Sequence, residues 1–92
     1  MIEKARKKAL NDRLNRIQGQ IEGLRKMIGE ERSCLEILAQ ISSVHEALRG
    51  VGKMMLRNYL ESCATRAIRS KDKRKAEETY NDLMEVIYKF TR

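Results

Sequence analysis

The sequence predicts an all-α subunit of three helices, in which the central helix is very long. Proline is absent from all 92 residues, and aromatic residues make up only 4% of the chain. Apolar residues recur at steps of three and four along most of the sequence, which is typical of packed helices rather than of strands. We therefore expect one helical domain over residues 1–92, built from helices packed on helices.

The first predicted helix covers residues 2–28. Its apolar residues follow one another at steps of 4, 3, 4, 3 and 4, the spacing of a helix that packs along its length against another helix. These residues are Leu10, Leu14, Ile17, Ile21, Leu24 and Ile28. Gly29 follows them directly, where a left-handed residue commonly ends a helix. The sequence thus predicts a left-handed cap at Gly29.

The second predicted helix begins at Ser33 and continues to about residue 68. Ser33 and Glu36 have the spacing of a capping box, in which each side chain bonds to the backbone N–H of the other residue. Gly50 and Gly52 weaken the centre of this helix and would let another backbone approach closely. An alternative fold breaks the helix at these two glycines and turns it back as a hairpin.

The third predicted helix covers residues 71–90, with Ser70 as its N-cap. The second helix, by contrast, would rise about 54 Å, whereas a compact chain of this length has a radius of gyration of only about 12 Å. One subunit cannot cover such a helix, so its apolar stripe is predicted to pack against a second copy in a symmetric dimer. The stripe consists of Leu38, Ile41, Leu48 and Met55.

The two cysteines, Cys34 and Cys63, are 29 residues apart. In a continuous helix they share one face but lie about 43 Å apart along the axis, and a disulfide needs Cα atoms within about 7 Å. Two antiparallel copies, related by an axis between Leu48 and Arg49, bring Cys34 of one copy opposite Cys63 of the other. This arrangement makes two dithiol sites per dimer.

The position of each cysteine suggests its chemical role. Cys34 lies in the first turn of a helix, where free N–H groups favour a thiolate, although Glu30, Glu31 and Glu36 oppose one. Cys34 is therefore the candidate attacking thiol, and Cys63 of the partner is the candidate resolving thiol of a redox switch.

Two other interpretations of the cysteines stay open. One is a helical scaffold in which both thiols are inert core residues. The other is a metal site, which is disfavoured because Tyr59 stands four residues before Cys63 and the one histidine, His45, lies away from both thiol pairs in this register. Two thiolates alone still suit Cu(I). We expect no metal site, no cofactor and no enzymatic activity, since no phosphate loop, C-x-x-C pair or catalytic triad is present.

The charge favours a polyanionic partner. Lys and Arg number 20 against 13 Asp and Glu, which gives a net charge of +7, and the first 29 residues alone carry +5. On the second helix, Arg49, Lys53 and Arg57 recur every four residues and form a basic ridge. Such a surface attracts nucleic acid in a salt-dependent manner. A merely soluble basic surface and a membrane-surface helix are the weaker alternatives.

Two further features concern the compartment. No apolar run approaches the roughly 18 residues that a membrane span requires. Two cysteines cannot build the disulfide framework of a small secreted protein, so we expect a cytoplasmic chain with reducible thiols and no membrane partner.

Three runs of residues resemble the copper-sensitive operon repressor (CsoR) family. They are RLNRIQGQIEGLRKMI at 13–28, SerCys at 33–34 and QISSVHEALRGVGKMML at 40–56. The resemblance implies an antiparallel homodimer that pairs into a disc-like homotetramer, and binding to operator double-stranded DNA that an inducer relieves. It also implies DNA contacts by basic residues of the first two helices. By position these are Arg13, Arg16, Arg49 and Lys53, together with Lys4 and Lys8.

The same resemblance bears on the inducer. Copper sensors of this family carry a cysteine, a histidine 25 residues on and a cysteine four residues later. Cys34 and Cys63 match the two cysteines, and Tyr59 takes the histidine position. A sequence that keeps both cysteines and lacks the histidine has the pattern of the CsoR-like sulfurtransferase repressors (CstR). This implies that persulfide or polysulfide bridges the two cysteines across subunits, beside Tyr59 and Ser33, and derepresses sulfide-detoxification genes. A Cu(I)-sensing repressor is the alternative.

Overall fold

The computed structural model describes residues 2–91, and the side chains of residues 2–89. This part of the chain is helical apart from its first two residues and two short connections, and it contains no strand. Its elements are α1 (Lys4–Gly29), α2 (Cys34–Tyr59), a π-helical turn (Leu60–Ala64), α3 (Thr65–Arg69) and α4 (Lys73–Thr91). The second predicted helix corresponds to α2, the π-helical turn and α3, which follow one another without a non-helical residue. The all-α prediction is confirmed.

Helix α2 passes through Gly50 and Gly52 without a break. The alternative hairpin at these glycines is therefore wrong. Packing of α2 against α1 outweighs the low helix propensity of glycine, which is a weak preference that tertiary contacts commonly override.

The π-helical turn was not predicted from the sequence. The backbone N–H of Thr65 donates to the carbonyl of Leu60, five residues earlier, and the Thr65 hydroxyl donates to the same oxygen at 2.6 Å. A wider turn of this kind occurs mostly as a single insertion in an α-helix, and often at functional sites.

The chain divides into two compact units, and the first spans Ile2–Met55. In this unit α1 runs antiparallel to α2, because Gln20 lies beside Gln40 while the earlier Arg13 lies beside the later Gly50. The amide Nε2 of Gln40 donates to the backbone carbonyl of Gln20 at 3.3 Å. The buried apolar residues of this unit, among the described side chains, are Leu10, Ile17 and Val44.

The second unit begins at Leu56 and contains the π-helical turn, α3 and α4 in mutual contact. Ala64 is buried in it. The carboxylate of Asp72 caps α4, since its Oδ1 accepts from the backbone N–H of Arg74 at 3.0 Å and of Lys75 at 3.4 Å. The predicted Ser70 cap is wrong: α4 begins at Lys73, too far along for Ser70 to cap, and the Ser70 hydroxyl donates to the carbonyl of Ala67 at 2.8 Å.

The turn between α1 and α2 ends α1 with a Schellman motif. The backbone N–H of Arg32 donates to the carbonyl of Met27 at 3.0 Å, and that of Glu31 donates to Ile28 at 3.1 Å. The left-handed residue of the motif is Glu31, with φ 55°, whereas Gly29 is still helical. The predicted Gly29 cap is therefore wrong, because the helix continues one residue further than the apolar spacing indicated.

The start of α2 follows the capping-box prediction in part. The Ser33 hydroxyl accepts from the backbone N–H of Glu36 at 3.2 Å, as predicted. The Glu36 carboxylate accepts from the Ser33 hydroxyl and from the Arg32 guanidinium, instead of from the backbone N–H of Ser33.

Much of the apolar surface is uncovered in the single chain. The four residues of the predicted interface stripe, Leu38, Ile41, Leu48 and Met55, keep 57%, 44%, 46% and 40% of their surface exposed. Leu14, Ile21 and Ile28 on α1 are also exposed. No helix in the described part of the chain is long and apolar enough to cross a membrane.

Glu31→Gly should stabilise the protein by about 1 kcal/mol, because a left-handed conformation is costly for a residue with a Cβ atom and not for glycine. The measurement is the free energy of unfolding in urea. Glu30→Gly is the matched control, since Glu30 has φ −86° and gains no such relief. An equal or larger gain from Glu30→Gly would contradict the assignment.

Candidate functional site

The first unit carries a groove of about 620 Å³ between α1 and α2. Arg13 and Arg16 line this groove, together with Gln20 and Gln40. The side-chain Oε1 of Gln20 is buried and has no hydrogen-bond partner among the described residues. The groove therefore has a mixed polar and apolar lining, to which α1 contributes two arginines.

Arg13 reaches from α1 to the backbone of α2. Its Nη1 lies 3.1 Å from the position that a Cβ atom would take at Gly50. The sequence predicted that another backbone would approach these glycines. At Gly50 the structure instead places a guanidinium group, so the α1 cation lies over the helix that carries Arg49 and Lys53.

Many cations of the chain are neutralised locally by a carboxylate one helical turn away. Lys8 lies 3.1 Å from Asp12, and Arg57 lies 3.2 Å from Glu61. The positive charges of Lys8 and of Arg57, which ends the predicted basic ridge, are thus partly offset by these carboxylates. Other such pairs are Arg32–Glu36, Arg74–Glu78 and Lys89–Glu85.

Five of the six predicted DNA-contact residues, all except Lys8, have no carboxylate partner among residues 2–89. We call Arg13, Arg16, Arg49 and Lys53 the four unpaired cations. All four lie in the first unit and are exposed. Lys4 is likewise exposed and without an ion pair in the described region. Uncompensated cations on one unit are what a polyanion-binding surface requires.

Cys34 is the first residue of α2, and its thiol is free and exposed. The nearby Arg32 donates Nε and Nη2 to Glu36 Oε2 at 3.0 and 2.6 Å. These hydrogen bonds and the Arg32 charge, with a further bond from Ser33, hold the pKa of Glu36 below its usual value. Arg32 therefore offsets one of the three negative charges that the sequence set against a thiolate at this helix start.

Cys63 lies in the π-helical turn of the second unit, and its thiol is also free and exposed. Tyr59, immediately before this turn, is half-buried. Burial raises the pKa of the Tyr59 phenol, and the charges of Asp82 on α4 and of Cys63 raise it further. The phenol is therefore neutral near pH 7. A neutral phenol is a poor ligand for a soft metal such as Cu(I).

The two thiols belong to different units, and neither forms a disulfide in the single chain. Their pairing across subunits stays a prediction. Both are exposed in the single chain, unlike cysteines that fill a core. In the described part of one chain, no group of three or more His, Cys, Asp or Glu side chains is placed to hold a metal ion. Asp82 was not identified from the sequence, where an isolated acidic residue on a helix carries no signal.

Together, the helical fold, the unpaired cations and the exposed thiols are the features of a helical DNA-binding regulator. Residues 6–89 match the family described as metal-sensitive transcriptional repressor, and the chain belongs to that family. The resemblance to the CsoR family is thereby confirmed, while a special closeness to the CstR branch stays a prediction.

Named relatives agree with this assignment. The copper-sensing transcriptional repressor CsoR of Bacillus subtilis strain 168 is 36% identical over 86 residues, which cover 94% of this chain and 82% of that protein. The crystal structure of CsoR with Cu(I) from Geobacillus thermodenitrificans NG80-2 is similar with a TM-score of 0.85 and 37% identity, over 100% of this chain and 95% of that one. The nickel-responsive transcriptional regulator InrS has a TM-score of 0.75 and 34% identity, over 90% of each chain.

The Tyr59 phenol should ionise at a higher pH than a free tyrosine, because burial and two nearby negative charges disfavour the phenolate. The measurement is the phenolate absorbance of the folded protein during alkaline titration. Tyr59→Phe should remove the latest ionisation step, whereas Tyr80→Phe, at an exposed position of α4, should leave it in place. A late step that persists in Tyr59→Phe would contradict the assigned environment.

Proposed function

We propose that this repressor binds operator DNA through the first unit and responds to an inducer at Cys34 and Cys63. The four unpaired cations carry the DNA part of the proposal. Cations without carboxylate partners release counterions when they neutralise DNA phosphates, which drives binding. Lys4 is a further contact, and Lys8 contributes less because Asp12 already binds it.

We propose that the functional form is an antiparallel dimer that pairs into a tetramer. The exposed stripe on α2 supports the dimer, because burying the remaining surface of those four large apolar residues would contribute about 1 kcal/mol for each residue. The small number of buried apolar residues in the single chain points the same way, since small cores rarely stabilise a chain alone.

The sulfur chemistry proceeds in two steps. The Cys34 thiolate attacks the sulfane sulfur of a small persulfide, which forms a Cys34 persulfide and releases a thiolate. The Cys63 thiolate of the partner subunit then attacks the Cys34 sulfur, which forms the intersubunit disulfide and releases hydrosulfide. A second sulfane sulfur gives a longer polysulfide bridge. The bridge ties the two subunits covalently and favours a form of the tetramer that does not hold DNA.

Cu(I) is the second candidate inducer, and the relatives favour it more than persulfide. The Bacillus subtilis relative is named as a copper-sensing repressor, and the Geobacillus structure is described with Cu(I). Two thiolates, from Cys34 of one subunit and Cys63 of another, would suffice for Cu(I). The residues of this chain favour the sulfur reaction, because a neutral Tyr59 stands where the copper sensors carry histidine.

The remaining parts of the proposal follow from DNA binding and from the inducer. The protein acts in the cytoplasm, where operator DNA is present and thiols are kept reduced. Its release from the operator derepresses genes for sulfide detoxification, or genes for copper handling under the second candidate. The named relatives are regulators rather than enzymes, which agrees with the expected absence of catalysis.

Arg49→Ala should weaken DNA binding about tenfold and reduce the slope of log K against log salt by about one unit, because one phosphate contact is lost. The measurement is fluorescence anisotropy with a duplex that the wild-type protein selects from a random-sequence pool. Arg74→Ala is the matched control, since that arginine on α4 already pairs with Glu78 at 3.6 Å. Wild-type binding that does not depend on salt would overturn the DNA proposal.

A persulfide donor should convert the reduced protein into covalent dimers, which Cys34→Ala and Cys63→Ala should both abolish. The measurement is non-reducing electrophoresis with mass spectrometry of the linked peptides, beside an anisotropy assay of DNA release from the same sample. A Cys34–Cys63 peptide between subunits is the expected product.

The same variants separate the two inducers. If Cu(I) is the inducer, stoichiometric Cu(I) in a reducing buffer should release the DNA without forming covalent dimers, and the persulfide donor should not. That result would replace the sulfur proposal with the copper one. Covalent dimers that persist in Cys34→Ala would contradict the proposed pairing.

A further inference from the structure

Gly50 occupies an interior position of α2, where glycine is disfavoured relative to alanine. The space that a methyl group would fill at this residue is already bounded by the guanidinium of Arg13, with Nη1 at 3.1 Å. A contact this short is tighter than ordinary van der Waals contact, so an added Cβ would require the guanidinium to give way by a few tenths of an ångström. The displaced group is the end of a flexible side chain, which can move without disturbing either helix.

No other described contact fixes the Arg13 guanidinium. Arg13 forms no ion pair or hydrogen bond within residues 2–89, so all five of its N–H donors are free. The guanidinium thus lies at the edge of the space that a side chain at residue 50 would occupy. Two more of the unpaired cations lie on the same segment of α2. They are Arg49, which precedes Gly50, and Lys53, one turn after Arg49.

A long cationic side chain loses much rotamer freedom when it binds a phosphate, and this loss weakens binding. A guanidinium that already lies across α2 has lost part of that freedom before DNA arrives. When its planar fork of donors binds phosphate oxygens, the side chain therefore loses less additional conformational entropy.

We propose that Gly50 is a positioning residue for DNA binding: because it lacks a side chain, Arg13 of α1 crosses onto α2 and completes a phosphate-binding cluster with Arg49 and Lys53. This inference rests on the proposed DNA-binding function. It assigns Gly50 a role that acts through Arg13 and involves no contact between Gly50 and DNA.

The test is a double-mutant cycle with the full-length protein and the selected duplex. Gly50→Ala should lower DNA affinity about threefold, because the added methyl group pushes the Arg13 guanidinium part of the way off its preferred conformation. In an Arg13→Ala background, Gly50→Ala should change the affinity less than twofold, since the residue it displaces is gone. Gly50→Leu should approach the full effect of Arg13→Ala.

Gly29→Ala is the matched control, because it adds the same methyl group to helical backbone with no atom within 4 Å. It should leave the affinity unchanged. The urea midpoint of Gly50→Ala should equal or exceed that of the wild type, since alanine favours the helix. A fall in affinity with no fall in stability is a result that a merely structural role would not produce.

A second measurement keeps this inference separate from the proposed function. Side-chain ¹⁵N relaxation of the Arg13 Nε–H group in the DNA-free protein should show less order in Gly50→Ala than in the wild type or in Gly29→Ala. If the wild type binds no DNA but this change appears, the DNA proposal fails while the Gly50–Arg13 contact stands. Unchanged Arg13 order, or an equal loss of affinity in both Arg13 backgrounds, would overturn the inference.

Discussion

The packing of α1 against α2 is the interaction on which the other features of the first unit depend. Leu10 and Ile17 of α1 and Val44 of α2 are the buried apolar residues of this unit among the described side chains, and each contributes about 1.5–3 kcal/mol by leaving water. The antiparallel register of the two helices then decides which side chains meet. It places Gln20 beside Gln40 and Arg13 over Gly50, the residue that follows Arg49 on α2. A shift of one turn along either helix would separate these pairs while leaving the helices themselves intact.

The helices were predictable from the sequence because their signal is local and repeated: apolar residues every three or four positions, no proline and few aromatic residues. The ends of the helices were less predictable from the sequence. Gly29 and Ser70 have the residue types of caps, yet the left-handed residue is Glu31 and the capping side chain belongs to Asp72. Which residue takes each role depends on which N–H reaches which carbonyl, and here each role falls two residues beyond the residue that the sequence indicated. The π-helical turn depends on backbone hydrogen bonds that span five residues instead of four, and no residue pattern specified this change.

The candidate site divides in the same way. Its residue types could be read from the sequence, since a cysteine pair and an excess of Lys and Arg are visible as counts and spacings. The ionic partners could not, because they depend on side-chain conformation. Lys8 and Arg57 are compensated by carboxylates, and Arg13 is not, although all three are equally basic in the sequence. The influence of Asp82 on Tyr59 arises between residues 23 positions apart, through packing of α4 that the sequence leaves unspecified.

Arg32 lies in the short connection between α1 and α2 and forms hydrogen bonds to both helices. Its backbone N–H completes the last hydrogen bond of α1, and its guanidinium binds the carboxylate in the first turn of α2. Two residues further along the chain stands the sulfur of Cys34. A pull applied at that sulfur, from a bridge to another subunit, would therefore act almost directly on the final carbonyls of α1. The connection between the helices thus links a reaction at the Cys34 sulfur to α1, the helix that carries Arg13 and Arg16.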